Sequence, residues 1–217
     1  MPDVLSVSEA RAVVGDVLGA EEVAAAFDAL IDAPRIPFAR TDLVHAKERG
    51  EMLVLRSSTE RGGAPLTIAR MIERFPDAFD ARFLRKMGYQ LKDDWGIELE
   101  PLTAQETCAT GWALVAKTVI PDTCNLAYEE QDAIMARHAP GARRRAAVEA
   151  VYDTLLYFVA RKQRLLDTTW DWTASPTVDG GYLNVGGFGA QGLQILSYST
   201  AVRHGTLGVC PTRQPRG

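Results

Sequence analysis

The chain is short of the residues that hold small secreted folds or metal centres together. Its three cysteines, Cys108, Cys124 and Cys210, are an odd number in no ligand-like spacing, which argues against a disulfide framework and against a zinc site. Its three histidines, His45, His138 and His204, lie far apart with no H-x-x-x-H pairing, so they form no local metal grip. There is no basic excess. The 24 Lys and Arg face 28 Asp and Glu, a net charge of −4, the wrong sign for tracking a phosphate backbone; nucleic acid is not an expected partner. No apolar run approaches the roughly 18 residues needed to cross a bilayer. The longest, Val148 to Val159, is interrupted by Glu149 and Asp153. Met1-Pro2-Asp3-Val4-Leu5 lacks the basic-then-apolar order of a secretory signal. The expectation is a protein made in the cytoplasm, with export by a separate route left open.

One further shortage is local. Residues 170–217 hold nine of the 18 glycines but only five of the 52 charged side chains, and no Asp or Glu follows Asp179. The end of the chain is therefore built differently from the rest. What is abundant is apolar material, 47% of residues, enough for a buried core and too much for a disordered chain.

The pattern along the chain predicts helices first. Ser6 and Glu9 form a capping box before a helix, and a second helix is expected over Glu21 to Ile31 before Pro34 and Pro37. Thr41 is expected to cap a short helix ended by Gly50, with a strand at Met52 to Leu55. After a Gly62-Gly63 turn, Thr67 opens a helix through Met71, and Phe75, Phe79, Phe83 and Leu84 continue at near-helical spacing as core contacts. Trp112 to Val115 and Val119-Ile120 read as a strand ending at Pro121, and Tyr128 to His138 as a helix. The clearest helix follows Pro140-Gly141, where Val148, Val151, Tyr152, Leu155, Leu156 and Val159 recur at three- and four-residue steps. From Trp170 the period becomes two: Trp170 to Thr173, Tyr182 to Val185 and Leu193 to Leu196 read as strands between glycine-rich turns. The fold class is α+β in a single domain, 1–217, with helices early and a small antiparallel sheet late.

Several motifs resolve into ordinary features. Gly187-Phe188-Gly189-Ala190-Gln191-Gly192 matches G-x-G-x-x-G, but a strand rather than a helix is expected after it and the ribose-binding acid is missing. Asp93, Asp94, Glu98 and Glu100 read as hydrated carboxylates, and His45, among Lys47, Glu48 and Arg49, as part of a solvated helix face. Arg143-Arg144-Arg145 opposes the dipole of the helix it is expected to begin; a solvated surface is the default, with an acidic neighbour as the alternative. No nucleophile sits in a G-x-S-x-G elbow.

Alternation in the last segment places Leu183 and Val185 on one side of a strand and Tyr182 and Asn184 on the other; likewise Leu193 and Ile195 lie opposite Gln194, Leu196 and Tyr198. One side packs inward. The other displays Tyr, Asn, Gln, Ser and Gly, which combine rigid aromatic area with adaptable hydrogen bonding, and its low charge suits a surface that must shed water. An ordinary sheet with polar outer residues accounts for the same pattern.

The segment Trp172-Thr173-Ala174-Ser175, then Val185-Gly186-x-Phe188, Gly192-Leu193 and Leu207-Gly208-Val209-Cys210-Pro211-Thr212-Arg213, resembles the C-terminal pattern of variable proteins of diversity-generating retroelements. Those proteins carry a C-type lectin fold of the formylglycine-generating-enzyme type. The similarity extends over about residues 145–213, including the preceding helix with Val151-Tyr152 and Leu155-Leu156-Tyr157. It implies a helical subregion over about 1–60, a C-type lectin-like scaffold over about 61–217 and a variable region at about 182–206. The scaffold would comprise Trp172, Thr173, Val185, Gly186, Phe188, Gly192, Leu193, Gly208, Val209 and Arg213. The diversified, ligand-binding positions would be Asn184, Gly187, Gly189, Ala190, Gln194, Leu196, Tyr198, Ser199, Thr200, His204 and Thr206, with Tyr182 as a weaker member. In that family a reverse transcriptase copies a template RNA and mutates adenines, so the patch differs between copies.

The resemblance implies a binding protein, not an enzyme, with no cofactor and no metal, recognising an unidentified ligand expected to be a protein. The copper-holding cysteine pair of formylglycine-generating enzymes has no counterpart here, since Cys210 belongs to the scaffold motif and Cys108 and Cys124 lack catalytic context. No carboxylate in the patch could ligate calcium. The alternatives are an enzyme on this or another α+β fold, using Asp93, Asp94 or His204 with a metal, and an interaction module working through the N-terminal helices.

Overall fold

The computed structural model describes residues 5–32, 34–84, 97 and 100–215. The chain opens with helix α1 (Val7–Val14), strand β1 (Val17–Leu18), α2 (Ala20–Phe27), α3 (Arg40–Glu48), β2 (Glu51–Arg56) and α4 (Ile68–Arg74). It continues through α5 (Leu102–Gln105), β3 (Gly111–Ala116), α6 (Tyr128–His138) and α7 (Ala147–Arg161). It closes with β4 (Trp170–Pro176), β5 (Tyr182–Gly189), β6 (Gly192–Tyr198), β7 (Leu207–Gly208) and β8 (Thr212–Arg213). The class is α+β.

Local chemistry sets several of these boundaries. Ser6 accepts from the Glu9 amide while the Glu9 carboxylate accepts from the Ser6 amide at 2.8 Å, the expected capping box. Thr67 caps α4 through the Arg70 amide, and α6 spans the residues expected of it. Other expectations shift. The second helix stops at Phe27 because Asp28 turns left-handed (φ 50°). The third begins at Arg40, so Thr41 lies inside it; the capping acceptor is Asp42, bonded to the Ala39 amide at 2.9 Å. The helical spacing does not persist beyond Phe75, because Pro76 lacks the amide to continue α4 and two 3-10 turns follow, at 76–78 and 81–83. Phe79 is nonetheless buried. Val119 and Ile120 leave the strand, the Ile120 amide instead bonding the Val209 carbonyl.

The strands form two mixed four-stranded sheets, which corrects the expectation of one late antiparallel sheet. The first runs β1-β2-β3-β8, with β1 parallel to β2. The second runs β6-β5-β4-β7, with β7 parallel to β4 and the rest antiparallel. The parallel partners are two-residue strands, too short to leave a periodic signature. A continuous hydrophobic core runs from Leu5 to Cys210 and takes in residues of both sheets.

Helix α7 packs against both sheets and is buried over all of residues 147–157. That burial includes Glu149 and Asp153, the two charges that interrupt its apolar run. Each meets arginine. Arg56 of β2 bonds Asp153 through Nε (2.9 Å) and Nη2 (2.6 Å) and Glu149 through Nη1 (2.5 Å). Arg145 bonds Asp153 at 3.2 Å and Asp171 of β4 at 2.9 Å, and Arg143 bonds Glu149 at 2.7 Å. Three guanidiniums thus answer three carboxylates and tie α7 to a strand of each sheet. The solvated reading of the arginine triplet is therefore wrong for Arg144 and Arg145, both buried; the acidic neighbours are the reason, and α7 begins only after them. Glu100 is also buried rather than hydrated, accepting from the Val178 amide at 3.0 Å. Asp93, Asp94 and Glu98 lie outside the described residues.

Burial alone would raise the Glu149 carboxyl, but the hydrogen bonds from Arg143 and the charge of Arg56 outweigh it and hold the group below the usual carboxylate range. A folded-state value below the unfolded one stabilises the fold above about pH 4.3, and that stability drains away as pH falls through the folded value. Urea midpoints measured from neutral pH down to pH 3 should therefore decline less steeply in Glu149→Gln than in the wild type. Equal slopes would remove Glu149 from the acid sensitivity of the fold.

Candidate functional site

The network that anchors α7 also orients β4. Asp171 points inward, accepting from Arg145 and, at 2.7 Å, from the Cys210 amide. Thr173 follows it inward, its hydroxyl donating to the Leu183 carbonyl at 2.8 Å. With a period of two, Trp170 and Trp172 must then stand on the opposite face. The strand register places Trp172 beside Asn184 and Asn184 beside Leu196, and aligns Trp170, Gly186 and Gln194 one step along. Tyr182 and Tyr198 form the next pair.

This outer face is an aromatic cluster. Tyr128, the first residue of α6, stacks on Tyr182 at 4.2 Å and meets Trp172 edge-on at 5.2 Å. Trp170, Tyr198, Leu207 and Val202 join it, and His204 stands edge-on to Trp170. Arg144 fixes α6 to β4: it bonds the carbonyls of Tyr128 (2.6 Å) and Trp172 (2.8 Å) and lies 3.9 Å over the Tyr128 ring. Burial pushes the Tyr128 hydroxyl up to about 12, so it remains a neutral donor, to the Thr173 carbonyl at 3.0 Å. The segment 199–206 is held beside the cluster by bonds from the Tyr128 amide to the Thr200 carbonyl and from the Asn125 amide to the His204 carbonyl. An exposed Arg203–Glu130 pair at 2.6 Å adds to these.

Six buried side-chain nitrogen and oxygen atoms among the described residues have no hydrogen-bond partner, and four of them lie on this face. They are the indole nitrogens of Trp170 and Trp172 and both amide atoms of Asn184. A buried polar group without a partner costs about 1–3 kcal/mol, and four of these six atoms fall on one face.

The alternation assigned Asn184, Gln194, Leu196 and Tyr198 to the side on which they are found. Display is another matter. Asn184, Leu196 and Gly187 are buried. Tyr182, Gly189, Gln194, Tyr198, Thr200 and Thr206 are half-buried, and Ala190, Ser199 and His204 are exposed. Gln194 also donates to Asp80 at 3.3 Å. At Gly187 a side chain would be strained: φ is 55°, and a Cβ there would sit 2.5 Å from the Trp170 ring. At Gly189 the nearest atom to such a Cβ is 3.8 Å away. Of the scaffold positions, Trp172, Thr173, Val185, Gly186, Phe188, Gly192, Leu193, Gly208 and Val209 are buried. Arg213 is remote from the cluster, on β8 against Glu51.

The lining residues missed from sequence are Trp170, Tyr128 and Val202. Strand alternation with Trp172 was a signal for the first; no local pattern joins Tyr128 to residues more than 40 positions away. The G-x-G-x-x-G stretch forms the turn between β5 and β6, and the residues after it continue as strand. Cys108, Cys124 and Cys210 are free thiols, and burial pushes that of Cys210 up to about 12. His45, His138 and His204 are exposed, and no group of three or more His, Cys, Asp or Glu suited to a metal occurs among the described residues. No described helix is long and apolar enough to cross a membrane. Compared with protein-family models, with curated proteins and with solved structures, the chain finds no match.

Proposed function

We propose that this chain is a ligand-binding protein with a C-type lectin-like scaffold, whose outer face on β4, β5 and β6 is a recognition surface diversified by a retroelement. The observation that carries the reading is the gathering of the Tyr128, Trp170, Trp172, Tyr182 and Tyr198 rings against strands whose one charged side chain, Asp171, points inward. Tyr and Trp supply contact area at small entropic cost, and their fixed seating on a sheet limits the ordering that binding would otherwise require. On this reading the diversified positions are the half-buried and exposed ones: Tyr182, Gly189, Ala190, Gln194, Tyr198, Ser199, Thr200, His204 and Thr206. Asn184 and Leu196 shape the floor beneath them, and Gly187 joins the scaffold. A protein surface is the expected ligand, and the chain performs no catalysis.

The DNA flanking the gene tests this. A reverse transcriptase gene is expected nearby, with a near-copy of the 3′ coding end differing mainly at adenines within codons for those nine residues. Absence of both refutes the diversification. Differences falling instead on the codons of Leu183, Val185 or Phe188 refute the assignment of the surface.

A further inference from the structure

A concavity lies away from the aromatic face, where α3 and the 140–141 turn meet β3 and β8. It measures about 330 Å³ and is bordered by Phe38, Asp42, His45, Arg49, Arg213 and Gln214. Two guanidiniums here share one carboxylate: Arg49 bonds Glu51 through Nε (3.0 Å) and Nη2 (3.3 Å), and Arg213 bonds the same Glu51 through Nη2. Glu51 is buried beneath them. The two guanidiniums exceed Glu51 by one positive charge, with the Asp42 carboxylate as the other charge on the lining, and neither Nη1 is spent on Glu51. Asp42, at the rim, spends an oxygen on the Ala39 amide and sits on the positive end of α3. His45, exposed on α3, adds a further N–H donor. The buried ring of Phe38 offers an apolar wall.

We propose that this cavity binds an oxyanion, the carboxylate or phosphate group of a small molecule, through Arg213 and Arg49. Planar guanidiniums are matched to such groups because their N–H donors meet two oxygens at once. Glu51 supports the pair from behind and keeps both arginines in place, and the volume leaves room for a body attached to the anionic group.

Thermal unfolding and ³¹P line widths of the full chain with inorganic phosphate test this, alongside acetate and with chloride at matched ionic strength as control. The wild type is expected to be stabilised by phosphate, by acetate or by both, beyond the effect of chloride; which anion acts tells phosphate from carboxylate chemistry. Arg213→Gln and Arg49→Gln should each weaken the response by about tenfold, the loss of one charged hydrogen bond. Arg213→Lys, which keeps the charge without the fork, should retain part of it. Each glutamine substitution removes one of the two arginines bonded to Glu51 and leaves the other, so whichever variant folds supplies the comparison, with Arg213→Lys in reserve. Equal response to chloride, or equal response in the wild type and a folded glutamine variant, overturns the proposal.

Discussion

Asp153→Ala is expected to lose a large part of the protein's stability. The carboxylate is fully buried and holds two guanidiniums, Arg56 from β2 and Arg145 ahead of α7. Without it Arg56 keeps Glu149 and a 3.4 Å bond to the Thr212 hydroxyl, Arg145 keeps Asp171, and two buried guanidiniums each lose a carboxylate. Breaking such a buried pair costs about 3–5 kcal/mol, set against a total of about 5–15 kcal/mol for ordinary domains. A urea titration should show the midpoint collapse. Arg203→Ala is the comparison: it severs the exposed pair with Glu130, and such pairs contribute about 0–1 kcal/mol. If the two variants were equally stable, the buried charges would not be what joins α7 to the sheets.

Gly186→Ala should be nearly as damaging, while Gly189→Ala, three residues on, should be tolerated. A Cβ on Gly186 would overlap the Thr169 carbonyl oxygen and come within 2.7 Å of the Trp170 Cα. Both are backbone, so no side chain can rotate away, and the pairing of β4 with β5 must open. Overpacking costs about 1–3 kcal/mol where side chains can adjust; against backbone the upper end or beyond is expected. At Gly189 the chain has room and an ordinary backbone angle, so the change should stay within about 0.5 kcal/mol. Denaturation gives the energies, and near-ultraviolet circular dichroism reports whether the Trp170 ring has moved. Equal tolerance at both positions would mean that β4 and β5 do not approach as closely as described.

The contrast between what sequence shows and what it hides follows from range. The Ser6–Glu9 box, the limits of α6, and the three long strands of the second sheet all rest on neighbours within a few residues, and each was readable. Whether Asp153 is hydrated or buried depends on Arg56, 97 residues away, and no periodicity carries that information. The same holds for Tyr128, which belongs to a helix with an unremarkable pattern yet packs on the aromatic cluster. The two-residue strands β1, β7 and β8 exist only as partners of longer ones. For the candidate face, alternation told inside from outside but not covered from displayed. That second distinction is made by α6 and the 199–206 segment, which reach the sheet from other parts of the chain.

The placement of the indoles has a practical consequence. Trp170 and Trp172, two of the chain's four tryptophans, share the candidate face with unbonded N–H groups, whereas the Trp112 N–H is bonded to the Pro34 carbonyl at 2.7 Å in another part of the molecule. Indole emission shifts with hydrogen bonding and local polarity. The protein therefore carries its own optical reporter: a molecule that docks against the half-buried Trp170 ring should move the fluorescence spectrum without any label, while the Trp112 contribution stays constant.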